Sequence, residues 1–258
     1  MKRRVVRMSK SDDRQLTLSG EELSGRGRSR SRTDVPNGRF HRVDLVVVFA
    51  AGIVLGLETV VELASGPLRS AGMSPLLADA IGWGVANGLI LVIALGITRL
   101  RYGRVASPLR LHRPTLRTTL VGLAGAVGLA AINFAVMFLP LDGGPAGGIA
   151  DGPAWAQLVF AVLFGVVVTG FYEEVVYRGV LMTGLSDRFG SKAGLVLSSV
   201  AFSLAHLPRA YNTVTGLLGG LYLGWLYRRY DSLNVVIIAH GLGNALLGVA
   251  AAAANVSP

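Results

Sequence analysis

A short run of charged residues inside an apolar segment is the first place where this sequence could do chemistry. Between Phe171 and Gly179 the charged side chains are Glu173, Glu174 and Arg178. Residues four apart share a helix face, so Glu174 and Arg178 can pair, with the acid nearer the N-terminus as is favourable. Glu173 lies about 100° round the helix from Glu174 and has no counter-charge on its own helix. The run offers either a carboxylate for acid–base work beside a supporting ion pair, or a packing ion pair with a second Glu at a water-accessible edge.

Two later segments add imidazoles and an amide. His206 precedes Pro208 at the expected end of a helix, where a His also suits the helix dipole. His240 and Asn244 lie one helical turn apart with glycines between them, which would also suit a plain packing contact. Taken jointly with Glu173, these groups supply what hydrolysis needs, namely a base that activates water, a base partner or ligand, and a donor for the oxyanion.

The composition explains why these side chains stand out. Of 258 residues, 52% are hydrophobic and 16% are charged, and the mean hydropathy is +0.53, whereas a soluble domain carries about 25% charged residues. An ionisable side chain in hydrocarbon is costly unless it pairs or meets water. The chain has no cysteine, which excludes disulfide scaffolds, thiolate metal sites and cysteine nucleophiles. The sequence thus predicts a membrane protein whose few intramembrane charges are functional candidates.

We predict an all-α fold, a polytopic transmembrane bundle of about seven helices with a disordered basic N-terminal tail. A crossing needs roughly 20 helical residues, and the apolar runs predict helices at about 44–64, 76–98, 116–139, 154–186, 192–207, 212–229 and 232–254. The three parts are a tail over 1–42, N-terminal transmembrane helices over 43–150 and a catalytic region over 151–254. The tail is rich in Arg and Ser, so we expect it to contact anionic lipid, with no nucleic-acid partner.

Loop charges predict the orientation. The loop from 99 to 117 holds six arginines and no acid, and the loop from 141 to 153 holds two aspartates and no base. By the positive-inside rule the first is cytoplasmic and the second is outside, which makes a multi-pass plasma-membrane protein with a cytoplasmic N-terminus. Helical rise places His240 about 12 Å inside the cytoplasmic edge, with Glu173 in the same half, but places His206 about 21 Å in.

The motifs Glu-Glu-x-x-x-Arg, Phe-x-x-x-His and His-x-x-x-Asn, in this order, resemble the CAAX prenyl protease and bacteriocin-processing (CPBP, or Abi) family of intramembrane metalloproteases over roughly 154–250. The resemblance implies catalytic-site roles for all the motif residues, which are Glu173, Glu174, Arg178, His206, His240 and Asn244. Glu173 would activate water with His206 beside it. His240 and Asn244 would bind metal or steady the oxyanion, and the remaining two would support the site.

The ligand types leave the metal open. Glu173, His206 and His240 are of the types that bind Zn²⁺, whose bound water reaches a pKa of about 7. The His-Glu-x-x-His signature of zincins is absent, and a Glu–His pair can also activate water alone. Zn²⁺ is therefore a candidate cofactor.

The leading prediction is an intramembrane endopeptidase that hydrolyses a peptide bond of a membrane-associated peptide or protein. The Gly-x-Ser-x-Gly, Gly-x-Gly-Asp and His-Glu-x-x-His motifs of other intramembrane proteases are absent. The alternatives are a non-catalytic membrane immunity or scaffold protein and a proton-coupled transporter, although a transporter would show repeats between its halves. A chain with 22 Arg against 3 Lys and abundant Ala, Gly and Val is typical of a high-GC bacterium, where prenylated substrates are not expected.

Overall fold

The computed structural model describes residues 39–55, 58–141, 159, 162–163, 169–207 and 209–255, and every regular element within them is helical. The elements are α1 (Arg42–Leu55), α2 (Glu58–Ser70), α3 (Pro75–Tyr102), α4 (Leu116–Val136), α5 (Gly170–Glu173), the π-helical segment π1 (Glu174–Met182), α6 (Thr183–Phe189), α7 (Ser191–Leu204), α8 (Ala210–Tyr230) and α9 (Leu233–Asn255). The all-helical prediction is confirmed for these residues. The predicted disorder of the tail and most of the first half of the predicted helix 154–186 lie outside the described residues.

Helices α1 and α2 run antiparallel to α3. At one end of this hairpin Arg101 donates from Nε and Nη2 to the carboxylate of Asp44, at 2.7 and 2.8 Å. At the other end Arg69 of α2 pairs with Asp79 of α3. About 33 Å of helix separates Asp79 from Arg101, close to the roughly 30 Å thickness of a bilayer core. The hairpin therefore has an ion pair at each end and an apolar stretch between them.

The sequence predicts that the first helix, 44–64, ends at residue 64, whereas α2 ends at Ser70. Helix α2 continues through Pro67 to Ser70. The continuation is stabilised by Arg69, whose Nη1 donates to Glu62 at 2.8 Å and whose Nη2 donates to Asp79. Glu62 and Asp79 lie within the predicted helices 44–64 and 76–98. In the structure they belong to an ion-pair cluster where α2 ends and α3 begins.

Two described helices, α3 and α4, are long and apolar enough to cross a membrane. Large apolar side chains on their outer faces are exposed, as at Val92 of α3 and Val127 of α4. Helix α4 begins with a capping box between Thr115 and Thr118, and α3 ends at Gly103 in the left-handed conformation. The number of about seven crossings stays a prediction.

Segment π1 is a local difference from the regular helix that the sequence predicts over 154–186. Nine residues from Glu174 to Met182 are π-helical and all are buried. Gly179 within this segment lies against Leu109, because a Cβ there would lie 2.8 Å from Leu109 Cδ2. The sequence pattern does not distinguish the wider π turn from an α turn here, since every residue of the segment is buried. Segments of this kind frequently lie at functional sites.

Glycines on α4 allow α9 to pack closely beside it, and they fix the position of α9. A Cβ at Gly122 would lie 2.7 Å from the Ile238 side chain, and one at Gly125 would lie 2.9 Å from Ala239 Cβ. Later contacts continue in the same direction, with Gly243 against Leu129. The two helices therefore run parallel, and their packing sets the depth of the polar residues on α9.

Candidate active site

Four buried polar side chains from α5, π1 and α9 meet in one cluster. Glu173 is the last residue of α5, Glu174 and Arg178 lie on π1, and His240 lies in the second turn of α9. Their exposed fractions are 8%, 0%, 1% and 5% respectively. Charged groups buried to this degree are costly unless they pair with one another. The cluster is thus sustained by its internal contacts.

Glu174 is the centre of the cluster. Its Oε1 accepts a hydrogen bond from Arg178 Nη1 at 2.7 Å, which confirms the ion pair that the spacing predicts. The same oxygen accepts a hydrogen bond from His240 Nδ1, also at 2.7 Å. Its Oε2 is buried and has no hydrogen-bond partner among the described residues. Glu174 therefore joins π1 to α9 and keeps one acceptor unused.

Glu173 lies on the other side of the same imidazole. Its Oε2 is 3.5 Å from His240 Nε2, and its Oε1 accepts a hydrogen bond from the hydroxyl of Tyr172 at 3.0 Å. The structure thus places His240, on a different helix, beside the carboxylate that lacks a counter-charge on its own helix. Two adjacent carboxylates contact the two nitrogens of one histidine.

The contacts of His240 leave its Nε2 facing Glu173. A carboxylate only accepts, so Nδ1 of His240 carries the proton that it donates to Glu174. Two carboxylates and one guanidinium leave a net charge of −1 when His240 is neutral. An additional proton, on Nε2 of His240 or on Glu173, brings the buried cluster to neutrality and makes their contact attractive. The arrangement can therefore hold and transfer one proton.

The ring of Phe202 on α7 packs against this cluster. Its centroid lies 4.7 Å from Arg178 Cζ, in a cation–π contact. The ring also makes edge-on contacts with His206 and His240, at centroid distances of 4.6 and 5.9 Å. Phe202 thus fixes the guanidinium from one side and connects the two histidines.

His206 lies in the turn that follows α7, as the sequence predicts. Its Nδ1 bonds the carbonyl oxygen of Phe202 at 2.8 Å, so Nδ1 carries a proton, and in the neutral ring Nε2 is left as an acceptor. Gly216 on α8 lies close to this segment, because a Cβ there would lie 3.3 Å from Ser203 Cα and 3.5 Å from His206 Nδ1. The ring of Phe202 contacts both His206 and His240, whose predicted depths differ.

Asn244 lies one turn beyond His240 on α9. Its Nδ2 donates to Thr169 Oγ1 at 3.3 Å, at the start of the helical segment that carries Glu173. This contact and the Glu174–His240 hydrogen bond both join α9 to the chain segment that contains α5 and π1. The amide is therefore held one turn from His240, in contact with the residue that precedes α5.

The predicted Zn²⁺ ligands do not form a three-ligand set. Within the described ranges, no three His, Asp or Glu side chains converge in a way that could hold a metal ion. Nδ1 of His240 is directed at Glu174, and Nδ1 of His206 at a carbonyl oxygen. The residues as arranged do not fit the metal. Zinc stays a prediction.

Sequence reasoning missed two contributors to the site. Tyr172 directly precedes the two glutamates, and its hydroxyl donates a hydrogen bond to Glu173. Gly220 of α8 supplies a carbonyl oxygen that accepts from Arg178 Nη2 at 3.3 Å. A hydroxyl beside a buried carboxylate is a signal that the sequence offered, but a backbone acceptor on another helix leaves no trace in it.

Residues 153–246 match the family model of the type II CAAX prenyl endopeptidases, described as Rce1-like. The match spans all six motif residues and confirms the resemblance to CAAX proteases. No curated protein and no solved structure matches the chain. The Rce1-like region supports a CAAX-type protease, and together with α3 and α4 it supports a membrane protein.

Proposed function

We propose that this chain is an intramembrane endopeptidase that hydrolyses a peptide bond in a membrane-associated peptide or protein, with Glu173 as the general base. The observation that carries the proposal is the contact of both nitrogens of His240 with two adjacent buried carboxylates. An ion pair between Glu174 and Arg178 would be enough for helix packing. The additional carboxylate beside the imidazole is what acid–base chemistry needs.

In the proposed reaction Glu173 is the base, and His240 lies beside it. With Glu173 ionised, its carboxylate takes a proton from a water molecule as the water oxygen attacks the carbonyl carbon of the substrate. The C–N bond then breaks, and Glu173 returns the proton to the departing amine nitrogen. One water is consumed, and a carboxyl and an amine are formed. Glu174 holds His240 so that Nε2 faces Glu173 throughout.

Two side chains are suited to the developing oxyanion. Asn244 Nδ2 is a neutral donor beside the cluster, and the imidazole of His206 donates from Nε2 when it is protonated. We assign the oxyanion to Asn244, with His206 as a second donor, because hydrogen-bond donors in a dry site stabilise such charge well. Among the described residues Glu173 contacts His240, whereas His206 bonds the carbonyl oxygen of Phe202, which favours this division of roles over a direct Glu173–His206 pair.

The substrate must reach a site buried among apolar helices, so we propose a substrate that is itself lipid-embedded or lipid-anchored. The arginine-rich loop between α3 and α4 favours a site open to the cytoplasmic side of a plasma-membrane protein, with the N-terminus on that side. The family description points to carboxyl-terminal CAAX sequences. An apolar peptide without a prenyl group is the other substrate class that we propose.

The test uses the purified full-length chain in lipid nanodiscs with two internally quenched peptides, one farnesylated at a CAAX terminus and one apolar without the lipid. We expect the wild type to cleave at least one peptide and Glu173→Gln to cleave neither. Bound zinc is measured on the same samples by elemental analysis. Intact peptides with the wild type, or equal cleavage by the variant, would overturn the proposal, whereas activity that survives exhaustive chelation removes only the metal.

A second candidate function is a proton relay, since a histidine between two carboxylates is also what a proton-coupled transporter uses. The same nanodisc material distinguishes the two. A relay acidifies or alkalises liposomes across which a pH gradient is imposed and leaves both peptides intact. A protease cleaves peptide without any proton flux.

A further inference from the structure

A basic cavity lies away from the proposed active site, where α8 ends and α7 begins. It has a volume of about 380 Å³, and the residues that line it are Arg110, Ser191, Trp225, Arg228 and Arg229. We call it the arginine cavity. Arg110 comes from the loop between α3 and α4, and Arg228 and Arg229 come from α8. None of these three arginines belongs to the catalytic cluster.

Arg110 is held in place by several contacts. Its φ of 55° is in the left-handed region, which is costly for a residue other than glycine. Its Nη1 pairs with Asp231 at 2.5 Å, its guanidinium lies 5.1 Å from the centroid of the Tyr227 ring, and its carbonyl oxygen accepts the Leu233 N–H at 3.1 Å. A strained backbone with this many contacts is one whose position is fixed by the fold.

The charges around the arginine cavity are unbalanced. Asp231 pairs with Arg110, and no carboxylate among the described residues pairs with Arg228 or Arg229. Their place in the last turn of α8 suits the helix dipole there, but the dipole of α8 gives no reason for Arg110 to join them from another segment. The cavity therefore keeps an excess of positive charge.

The first turn of α7 adds to this excess. Ser191 begins α7 after Gly190, and no side chain caps the helix. The free N–H groups of a first helical turn carry partial positive charge and bind anions readily. Ser191 and the three arginines line the same cavity, so an anion there would meet positive charge from the guanidinium groups and from this helical turn.

Exposed apolar surface continues from the cavity along α8. Trp225 is 50% exposed, and its ring stacks on that of Tyr222 at a centroid distance of 6.2 Å. Leu218, two turns before Trp225 on the same face of α8, is 41% exposed. Trp and Tyr favour the boundary between headgroups and acyl chains. A charged cavity continuous with an exposed apolar face matches an amphiphile better than a free anion.

We propose that the arginine cavity binds the phosphate headgroup of an anionic phospholipid, whose acyl chains lie along the exposed apolar face of α8. This site is independent of the proposed hydrolysis. The phosphate lies between the guanidinium groups and the first turn of α7, and Trp225 lies at the level of the glycerol backbone.

The test is native mass spectrometry of the full-length chain with phosphatidylglycerol or phosphatidylcholine at equal concentration. The variant is Arg228→Gln with Arg229→Gln, and the matched control is Arg113→Gln with Arg117→Gln, which removes the same charge from exposed positions of the arginine-rich loop. We expect the wild type and the control to retain phosphatidylglycerol over phosphatidylcholine, and the cavity variant to retain about tenfold less of it. Thermal unfolding of all three proteins checks that each is folded.

Two results would overturn the assignment. Equal loss of phosphatidylglycerol in the cavity variant and the control would mean that general surface charge holds the lipid. Complete displacement of the lipid by millimolar glycerol phosphate would mean that the cavity takes a soluble phosphate. Retention that only the cavity variant loses, and that glycerol phosphate does not displace, supports the proposal.

Discussion

Glu174 accepts a hydrogen bond from Nδ1 of His240 at 2.7 Å, across 66 residues of sequence. This bond sets the protonation of the imidazole, because Nδ1 must carry a proton, and it directs Nε2 towards Glu173 at 3.5 Å. The partner that orients a histidine commonly determines what its other nitrogen does. The proposed chemistry of Glu173 therefore depends on its sequence neighbour through a third residue on another helix.

The first prediction concerns the proposed base. Glu173→Gln keeps the size of the side chain but cannot take a proton, so we expect kcat to fall by about 10²- to 10⁴-fold. Glu62→Gln, which alters an exposed carboxylate in the cluster around Arg69, is the control and should retain full activity. Peptide cleavage in nanodiscs measures both, and equal kcat values for the two variants would contradict the role of Glu173.

The second prediction concerns the buried ion pair. Arg178→Met leaves Glu174 without its guanidinium in a fully buried position, so we expect the free energy of unfolding to fall by about 3–5 kcal/mol. Arg99→Met, at an exposed position of α3, should change it by less than about 0.5 kcal/mol.

The double variant Glu174→Gln with Arg178→Met removes both charges and should recover part of that loss. Denaturant unfolding in detergent measures all of these variants. If the double variant is less stable than Arg178→Met alone, the ion pair is not what stabilises this position.

The third prediction concerns Tyr172. Its hydroxyl donates to Glu173 at 3.0 Å, and a hydrogen bond to a charged group contributes about 1.5–3 kcal/mol. Tyr172→Phe should therefore lower kcat by about tenfold or more while KM stays near its wild-type value. Tyr211→Phe removes a hydroxyl that bonds the Asn133 carbonyl oxygen instead, and it should leave kcat unchanged. A rise in KM alone for Tyr172→Phe would show that the residue acts in substrate binding.

The fourth prediction concerns the packing of α4 on α9. In Gly122→Ala the new methyl group would lie 2.7 Å from the side chain of Ile238, so we expect a loss of stability of about 1–3 kcal/mol. Gly96→Ala on α3 meets nothing within 4 Å and should leave stability unchanged or slightly raised. Thermal unfolding of both variants measures the difference, and equal midpoints would contradict the close approach of the two helices.

Local features were predictable from the sequence. The Glu174–Arg178 pair follows from helix geometry alone, since residues four apart meet whatever else the chain does. The turn at His206 follows from the proline two residues later. Helix positions over 76–254 agree with the described helices to within a few residues, because apolar length and polar breaks are local properties. The predicted end of the first helix was wrong because Arg69 contacts Asp79 on α3, and this contact between helices accompanies the continuation of α2 to Ser70.

The sequence by itself determined the residue types, their order and their cost in an apolar chain, which was enough to identify the motifs and the family that they resemble. Only the tertiary structure decided which histidine contacts Glu173, that Phe202 connects His206 to His240, and that three arginines surround one cavity. Spacing along a helix constrains neighbours within a turn or two. Contacts between helices depend on how side chains and glycines pack across the bundle, and that packing is a property of the whole chain rather than of any one segment.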